Sequence, residues 1–265
     1  MSVYSINNRN SYSIYTKLSD KDSHNIYTKL ASGKRINKAA DDAVGLAIAQ
    51  KLLKEENGLN VGAQNAAEGM GALNVADGAM GGMMDYLQRM NELSIRSMNG
   101  LYSDSDRQAF QTEINGLKSG IQSLAKNTSL NEQKLLDGSM ADMHLATNPN
   151  GGGLDIHMEN TTLESLGIAS YDVTGNFDLN AIGKAMEIVS SARSNLGAMT
   201  NRLEHTYNYN RLASENVLSS RSRIEDLYMP KAISEKKKQD LLTEYRTMAL
   251  RKKMDDNNLV MRLFQ

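Results

Sequence analysis

From Val189 onward every seventh residue reads Val189, Leu196, Leu203, Asn210, Val217 and Ile224, and this run constrains the chain more than any other feature. Three residues after each stand Ala192, Met199, Thr206, Ala213, Ser220 and Leu227. Such 3-4 alternation is the seam of a long α-helix packed along other helices. No proline or glycine cluster interrupts it. At 1.5 Å per residue it spans roughly 58 Å, longer than a globular domain needs. The interleaved positions are small or polar, so the seam is expected to face closely packed neighbours.

The first half carries two more seams. One reads Leu73, Ala76, Met80, Met83, Leu87, Met90 and then Leu93; the other reads Phe110, Ile114, Leu117, Ile121 and Leu124. Between them Leu101-Tyr-Ser-Asp-Ser-Asp breaks the pattern, and Ser105 with Gln108 is the expected capping box of the second helix. Gly58, Gly62, Gly69, Gly71, Gly78, Gly81 and Gly82 fall inside the first. Each interior Gly costs ~1 kcal/mol relative to Ala, so packing must hold that helix together or it breaks there.

Residues 139–178 differ in character. Asn148-Pro-Asn-Gly-Gly-Gly153 reads as a turn, flanked by Met143-His-Leu-Ala and Leu154-Asp-Ile-His-Met with period-two alternation. A small β-hairpin is expected there. Thr161-x-x-Glu164 reads as the opening of a short helical turn before Gly167. The two ends, 1–38 and 228–265, are helix-compatible but their apolar seams are thin, so both are expected to order only against partners. The pentapeptide Ile-Tyr-Thr-Lys-Leu stands at 14–18 and again at 26–30, which reads as a local duplication.

Composition removes most chemistry. There is no Cys, so disulfides, thiolate metal sites and cysteine nucleophiles are excluded. Lys plus Arg number 30 against 31 Asp plus Glu, a net charge of −1, and the Lys/Arg triplets lack interleaved aromatics, so neither nucleic acid nor membrane is an expected partner. Two prolines and 5% aromatics suit long helices and fit an all-β domain poorly. No apolar stretch is long enough to span a bilayer, and the first residues lack the apolar core of a cleaved signal. The four histidines, His24, His144, His157 and His205, include no zinc-type spacing, although His144 and His157 could meet across the hairpin. Asp41-Asp42 and Asp255-Asp256 read as helix-start or solvated charge. No metal, no cofactor and no catalytic residue is expected.

Long blocks then carry a resemblance. Leu30-Ala-Ser-Gly-Lys-Arg-Ile-Asn-Lys-Ala-Ala-Asp-Asp-Ala-Val-Gly-Leu-Ala-Ile-Ala49 resembles the N-terminal signature of bacterial flagellins. Leu87-Gln-Arg-Met-Asn-Glu-Leu93, Ser129-Leu-Asn-Glu-Gln-Lys-Leu-Leu-Asp-Gly138, Ser191-Ala-Arg-Ser-Asn-Leu-Gly-Ala-Met-Thr-Asn-Arg-Leu203 and Ser220-Arg-Ser-Arg-Ile-Glu-Asp226 are similar to further blocks of that family, in the family's order. The short middle implies a minimal member without large outer domains.

The resemblance and the seams agree on a mainly α fold: a long antiparallel helical bundle or coiled coil, with a small β-hairpin region and paired terminal helices. The expected divisions are an inner-tube helix over 1–38, bundle halves over 39–138 and 179–227, the hairpin region over 139–178, and a second inner-tube helix over 228–265. The resemblance implies a structural subunit that polymerises with itself into the flagellar filament. It implies an extracellular location, reached through the flagellar export apparatus without a cleaved signal peptide. Implied partners are hook–filament junction proteins, the filament cap and a flagellar export chaperone.

Leu87, Met90, Leu196, Leu203, Val217 and Ile224 are the expected assembly seam. Arg89, Leu93 and Glu113 match family positions that contact Toll-like receptor 5, although an interhelical ion pair beside a seam leucine would use the same residues. Pro230 is the expected hinge before the last helix. That helix departs from the family through Lys236-Lys-Lys-Gln-Asp and Arg251-Lys-Lys-Met-Asp-Asp. Two other readings remain, a hook–filament junction protein and a helical secretion chaperone that does not polymerise.

Overall fold

The computed structural model describes residues 25–263. The first copy of the pentapeptide, His24 and most of the expected N-terminal inner-tube helix lie outside the described residues. Among the described residues five helices and four short strands follow one another: α1 (described over 25–32), α2 (Ala43–Ser97), α3 (Asp104–Asn127), β1 (Ser129–Leu130), β2 (Gln133–Lys134), β3 (Asp142–Ala146), β4 (Gly153–His157), α4 (Asn180–Glu225) and α5 (Met229–Leu263). The chain divides into two compact units, one of Lys54–Glu215 and one combining the residues before and after it.

In the unit Lys54–Glu215 the seams become the core. Leu73, Ala76, Met80, Met83, Leu87, Met90 and Leu93 of α2 are all at most 1% exposed, as are Ile114 and Ile121 of α3 and Ile182, Val189 and Leu203 of α4. Each such Leu, Ile, Val or Met contributes about 1.5–3 kcal/mol by leaving water. Leu166, Ile168, Tyr171 and Val173 join them from an irregular stretch with no periodicity to betray them. The backbone of that stretch is held by one polar face of α3. Gln111 accepts from the Val173 amide at 2.8 Å, Lys118 donates to the Ala169 carbonyl at 2.5 Å, and Gln122 accepts from the Leu163 amide at 3.2 Å. These three stand at i, i+7 and i+11, one side of a helix.

The expected hairpin is present. β3 pairs antiparallel with β4, with Met143 opposite Ile156 and Leu145 opposite Leu154 on the inward side. A tighter hairpin joins β1 to β2 through Asn131 and Glu132, both at positive φ (49° and 67°), the backbone a two-residue turn of the primed type requires. The expected turn after Thr161 forms between Thr162 and Leu166. It ends at Gly167 (φ 70°), whose amide donates to Glu164 while Ile168 donates back to Leu163.

Two expectations need correction. The capping box of α3 is Ser103 with Asp106, not Ser105 with Gln108: Asp106 accepts from the Ser103 amide at 2.9 Å, and the Ser103 hydroxyl accepts from the Asp106 amide at 3.3 Å. An aspartate two atoms from the backbone closes the box as well as the longer Glu or Gln. The last seam also stops short of Leu227, because α4 ends at Glu225.

In the other unit, Asp42 caps α2 by accepting from the Gly45 amide at 2.8 Å, while Asp41 gathers the amides of Asn37 and Lys38, each at 3.1 Å. Those amides hold the Asp41 carboxyl below its ordinary pKa. The segment around Lys34 is clasped to the end of α4. Lys34 pairs with Glu225 at 2.5 Å, the Arg35 guanidinium donates to the Ile224 carbonyl at 2.7 Å, and Leu227 donates to the Gly33 carbonyl at 2.9 Å. A cation on the last carbonyls of a helix meets its negative end. Tyr27 of α1 lies 4.8 Å beneath the Lys236 ammonium of α5.

Candidate assembly surface

Five of the seven α2 glycines singled out from the sequence fall into two sets by what surrounds them. Gly58, Gly62 and Gly69 lie on one face of α2, where the hairpin comes down onto the helix. A Cβ on Gly58 would sit 2.6 Å from Pro149, one on Gly62 would strike the Thr147 carbonyl, and one on Gly69 would strike Leu145. Asn65, on the same face, donates to the Ala146 carbonyl at 2.7 Å, and Asn210 of α4 donates to that of Thr147 at 2.8 Å. Close approach therefore offsets the propensity cost at these positions. The spacing 58, 62, 65, 69 follows one helical face and was readable in the sequence. By contrast, Gly71 and Gly78 face open space.

Four of the six expected seam residues, Leu87, Met90, Leu196 and Leu203, are at most 3% exposed within the core of their own unit. They shape an interface only by holding the bundle that presents it. Val217 and Ile224 are half-buried in the other unit. Pro230 is exposed and stands in the first turn of α5, after a break over 226–228; its carbonyl accepts from the Ser234 hydroxyl at 3.0 Å. A proline there forgoes no helix bond, since first-turn amides have no partner inside the helix.

Arg89 bonds Glu113 across α2 and α3 at 2.8 Å and Glu92 within α2 at 3.0 Å. The hydrogen bond that Arg89 donates to Glu113 is the main reason the Arg89 pKa is raised. Leu93 lies beneath at 1% exposure. Arg89 and Glu113 are accessible, and Leu93 is not.

The hairpin register keeps the two histidines apart. His144 stands opposite Asp155 and bonds it at 2.5 Å; His157 stands opposite Asp142 and bonds it at 3.0 Å. Each aspartate raises the pKa of its histidine. No group of three His, Asp or Glu among the described residues is placed to hold a metal ion. No helix among them is long and apolar enough to cross a membrane.

What this surface offers is contact area. On α5, Ala232 is the one buried residue among the described side chains, while Leu241, Tyr245 and Met248 are 66%, 72% and 59% exposed. In the bundle unit Leu101 is 88% exposed. Apolar surface on this scale marks a protein that associates.

The profile of the bacterial flagellin N-terminal helical region matches residues 5–141, and that of the bacterial flagellin C-terminal helical region matches 179–264. The hairpin β3–β4 falls between them. Flagellin of Halalkalibacterium halodurans is 35% identical over 221 residues, covering 81% of each chain, and flagellin of Bacillus subtilis is 33% identical, covering 81% of this chain and 83% of its own. The flagellar filament core protein flaB2 of Brachyspira hyodysenteriae is 30% identical over 89% of this chain and 90% of its own. Among solved structures, a putative flagellar hook-associated protein from Vibrio parahaemolyticus matches 70% of this chain and all of its own, with a TM-score of 0.59 at 17% identity. Bacillus cereus flagellin matches 56% of this chain and 88% of its own, with a TM-score of 0.50 at 22% identity. At those identities the two structures speak for the fold alone. Matched at both ends and across most of its length, the chain belongs to the bacterial flagellins and is a structural subunit of the flagellar filament.

Proposed function

We propose that this chain polymerises with copies of itself through the terminal helices and the outer faces of the bundle, and that it carries out no catalysis. The observation that supports this best is α5, a helix of 35 residues in which Ala232 alone is buried among the described side chains. A helix draws most of its stability from packing an apolar face, and Leu241, Leu242, Tyr245 and Met248 are 66%, 42%, 72% and 59% exposed among the described residues. Neighbouring subunits are the natural cover. By family likeness the subunit leaves the cell through the flagellar export apparatus. Its further partners are the hook–filament junction proteins, the filament cap and an export chaperone. The accessible Arg89–Glu113 pair is the part of the bundle open to Toll-like receptor 5.

Purified protein seeded with filament fragments tests the reading. Full-length chain should lengthen the seeds, and a chain ending at Tyr228 should stay helical yet fail to add. A chain that adds once and stops growth is a junction protein; one that never adds is a chaperone.

A further inference from the structure

Asn-Gly stands at four places in the chain: 57–58, 99–100, 115–116 and 150–151. In this pair the backbone nitrogen that follows the asparagine can attack the side-chain carboxamide, because glycine has no side chain to shield it. The surroundings of the four differ. Asn57-Gly58 lies inside α2 and Asn115-Gly116 inside α3, where the glycine amide is committed to the helix ladder. Gly151 donates its amide to the Asn148 carbonyl at 3.0 Å in the hairpin turn. Gly100, between α2 and α3, is exposed, and its amide donates to no group among the described residues. Asn99 is held beside it at three points. Its amide donates to the Arg96 carbonyl at 3.0 Å, its carbonyl accepts from the Tyr102 amide at 3.2 Å, and its Oδ1 accepts from the Leu101 amide at 3.1 Å.

We propose that Asn99-Gly100 is a self-modification site, at which Asn99 is converted to aspartate and isoaspartate with water as the co-reactant. The Gly100 nitrogen gives its proton to water or hydroxide and bonds to Cγ of Asn99. The Cγ–Nδ2 bond breaks, and the side-chain nitrogen leaves as ammonia after taking up a proton. Water then opens the cyclic imide: attack at Cγ yields aspartate, and attack at the main-chain carbonyl yields isoaspartate. Water enters and ammonia leaves, with no change of oxidation state. The Leu101 amide already points at Oδ1, the atom on which negative charge gathers during the attack, so it serves as a preorganised oxyanion donor. Either product leaves a carboxylate just beyond the C-terminal end of α2, the pole of a helix that disfavours negative charge. Isoaspartate also lengthens the main chain, which breaks the bonds that hold the turn. The inference does not depend on the filament reading.

The test is a time course on the full-length chain in warm, mildly alkaline buffer, digested for mass spectrometry with aspartyl and isoaspartyl peptides separated by chromatography. In the folded chain Asn99 should convert first and Asn150 more slowly. Asn57 and Asn115 should trail by about tenfold or more, since local unfolding must release the amides that follow them. In guanidinium chloride the turn and both helices are lost, and the four rates should converge. Gly100→Ala adds a methyl in open space, so it should keep the helical signal and slow conversion of Asn99 severalfold. Asn150 leading in the folded chain, or Asn99 lagging with the helical pair, overturns the proposal. So does a ranking that persists unchanged in guanidinium chloride, because local sequence and not the turn would then set the rates.

Discussion

Asn210 of α4 donates to the Thr147 carbonyl at 2.8 Å, and that same carbonyl occupies the space a Cβ on Gly62 of α2 would need. The hairpin is thus fastened to both long helices of its unit by one backbone group. A polar residue at a seam position, unfavourable in an ordinary core, here satisfies a buried acceptor and sets the register of the helix that carries it.

The two sets of glycines should respond oppositely to alanine. Gly62→Ala must push Thr147 away and is expected to lower stability by about 1–3 kcal/mol, the range for forcing extra atoms into a packed site. Gly71→Ala meets open space and is expected to raise it by about 0.5–1 kcal/mol. Urea midpoints of the two variants decide the matter; changes of the same sign would mean the hairpin does not rest on Gly62.

Mild acid should tighten the hairpin. The pairs His144–Asp155 and His157–Asp142 favour the charged form of each imidazole, raising its folded pKa above the ordinary histidine value. Their contribution is therefore fully present below the unfolded value and fades as pH rises through the folded one. Imidazole proton shifts followed by NMR should show both transitions displaced upward, and Asp155→Asn should return that of His144 toward its ordinary value. An unshifted His144 in the parent protein would remove the pair.

Leu203→Asp places a carboxylate at a position with no exposure, at a cost of several kcal/mol, and is expected to abolish folding of the bundle. Arg89→Ala breaks a solvent-screened pair and is expected to leave the stability of the bundle close to that of the parent. If the receptor reads this surface, Arg89→Ala weakens binding without altering the thermal midpoint. Circular dichroism and a receptor-ectodomain binding isotherm separate the two roles.

The charges of α5 are expected to support assembly. Lys237, Lys238, Glu244, Arg251, Asp255 and Asp256 stand exposed along a helix whose apolar stripe is short. A repeated network between neighbours contributes more than isolated pairs and weakens as salt screens it. Sedimented polymer should fall from low to physiological ionic strength, and Glu244→Lys should assemble poorly while its bundle stays folded. A flat salt profile would mean these charges only face solvent.

The long helices were legible because their cores are periodic: Leu73 to Leu93 and Val189 to Leu203 announce burial by spacing alone. The alternating run 143–158 announced its hairpin in the same way. Ile168, Tyr171 and Val173 were not legible, because an irregular chain buries side chains without a period, and its supports Gln111, Lys118 and Gln122 look like an ordinary polar helix face. Arg89 and Glu113 could be paired from their places on neighbouring helices. The clasp of Lys34 and Arg35 on the end of α4 joins residues some 190 positions apart, and no local pattern signals it.

The central claim is that α5, mostly exposed among its described side chains, is covered by neighbouring subunits. Amide hydrogen exchange over residues 229–263, in unassembled protein and in seeded polymer under the same buffer, tests it most directly. The account predicts rapid exchange in the single chain and strong protection in the polymer, with the bundle unit Lys54–Glu215 protected in both. Equal exchange of α5 in the two states would contradict it.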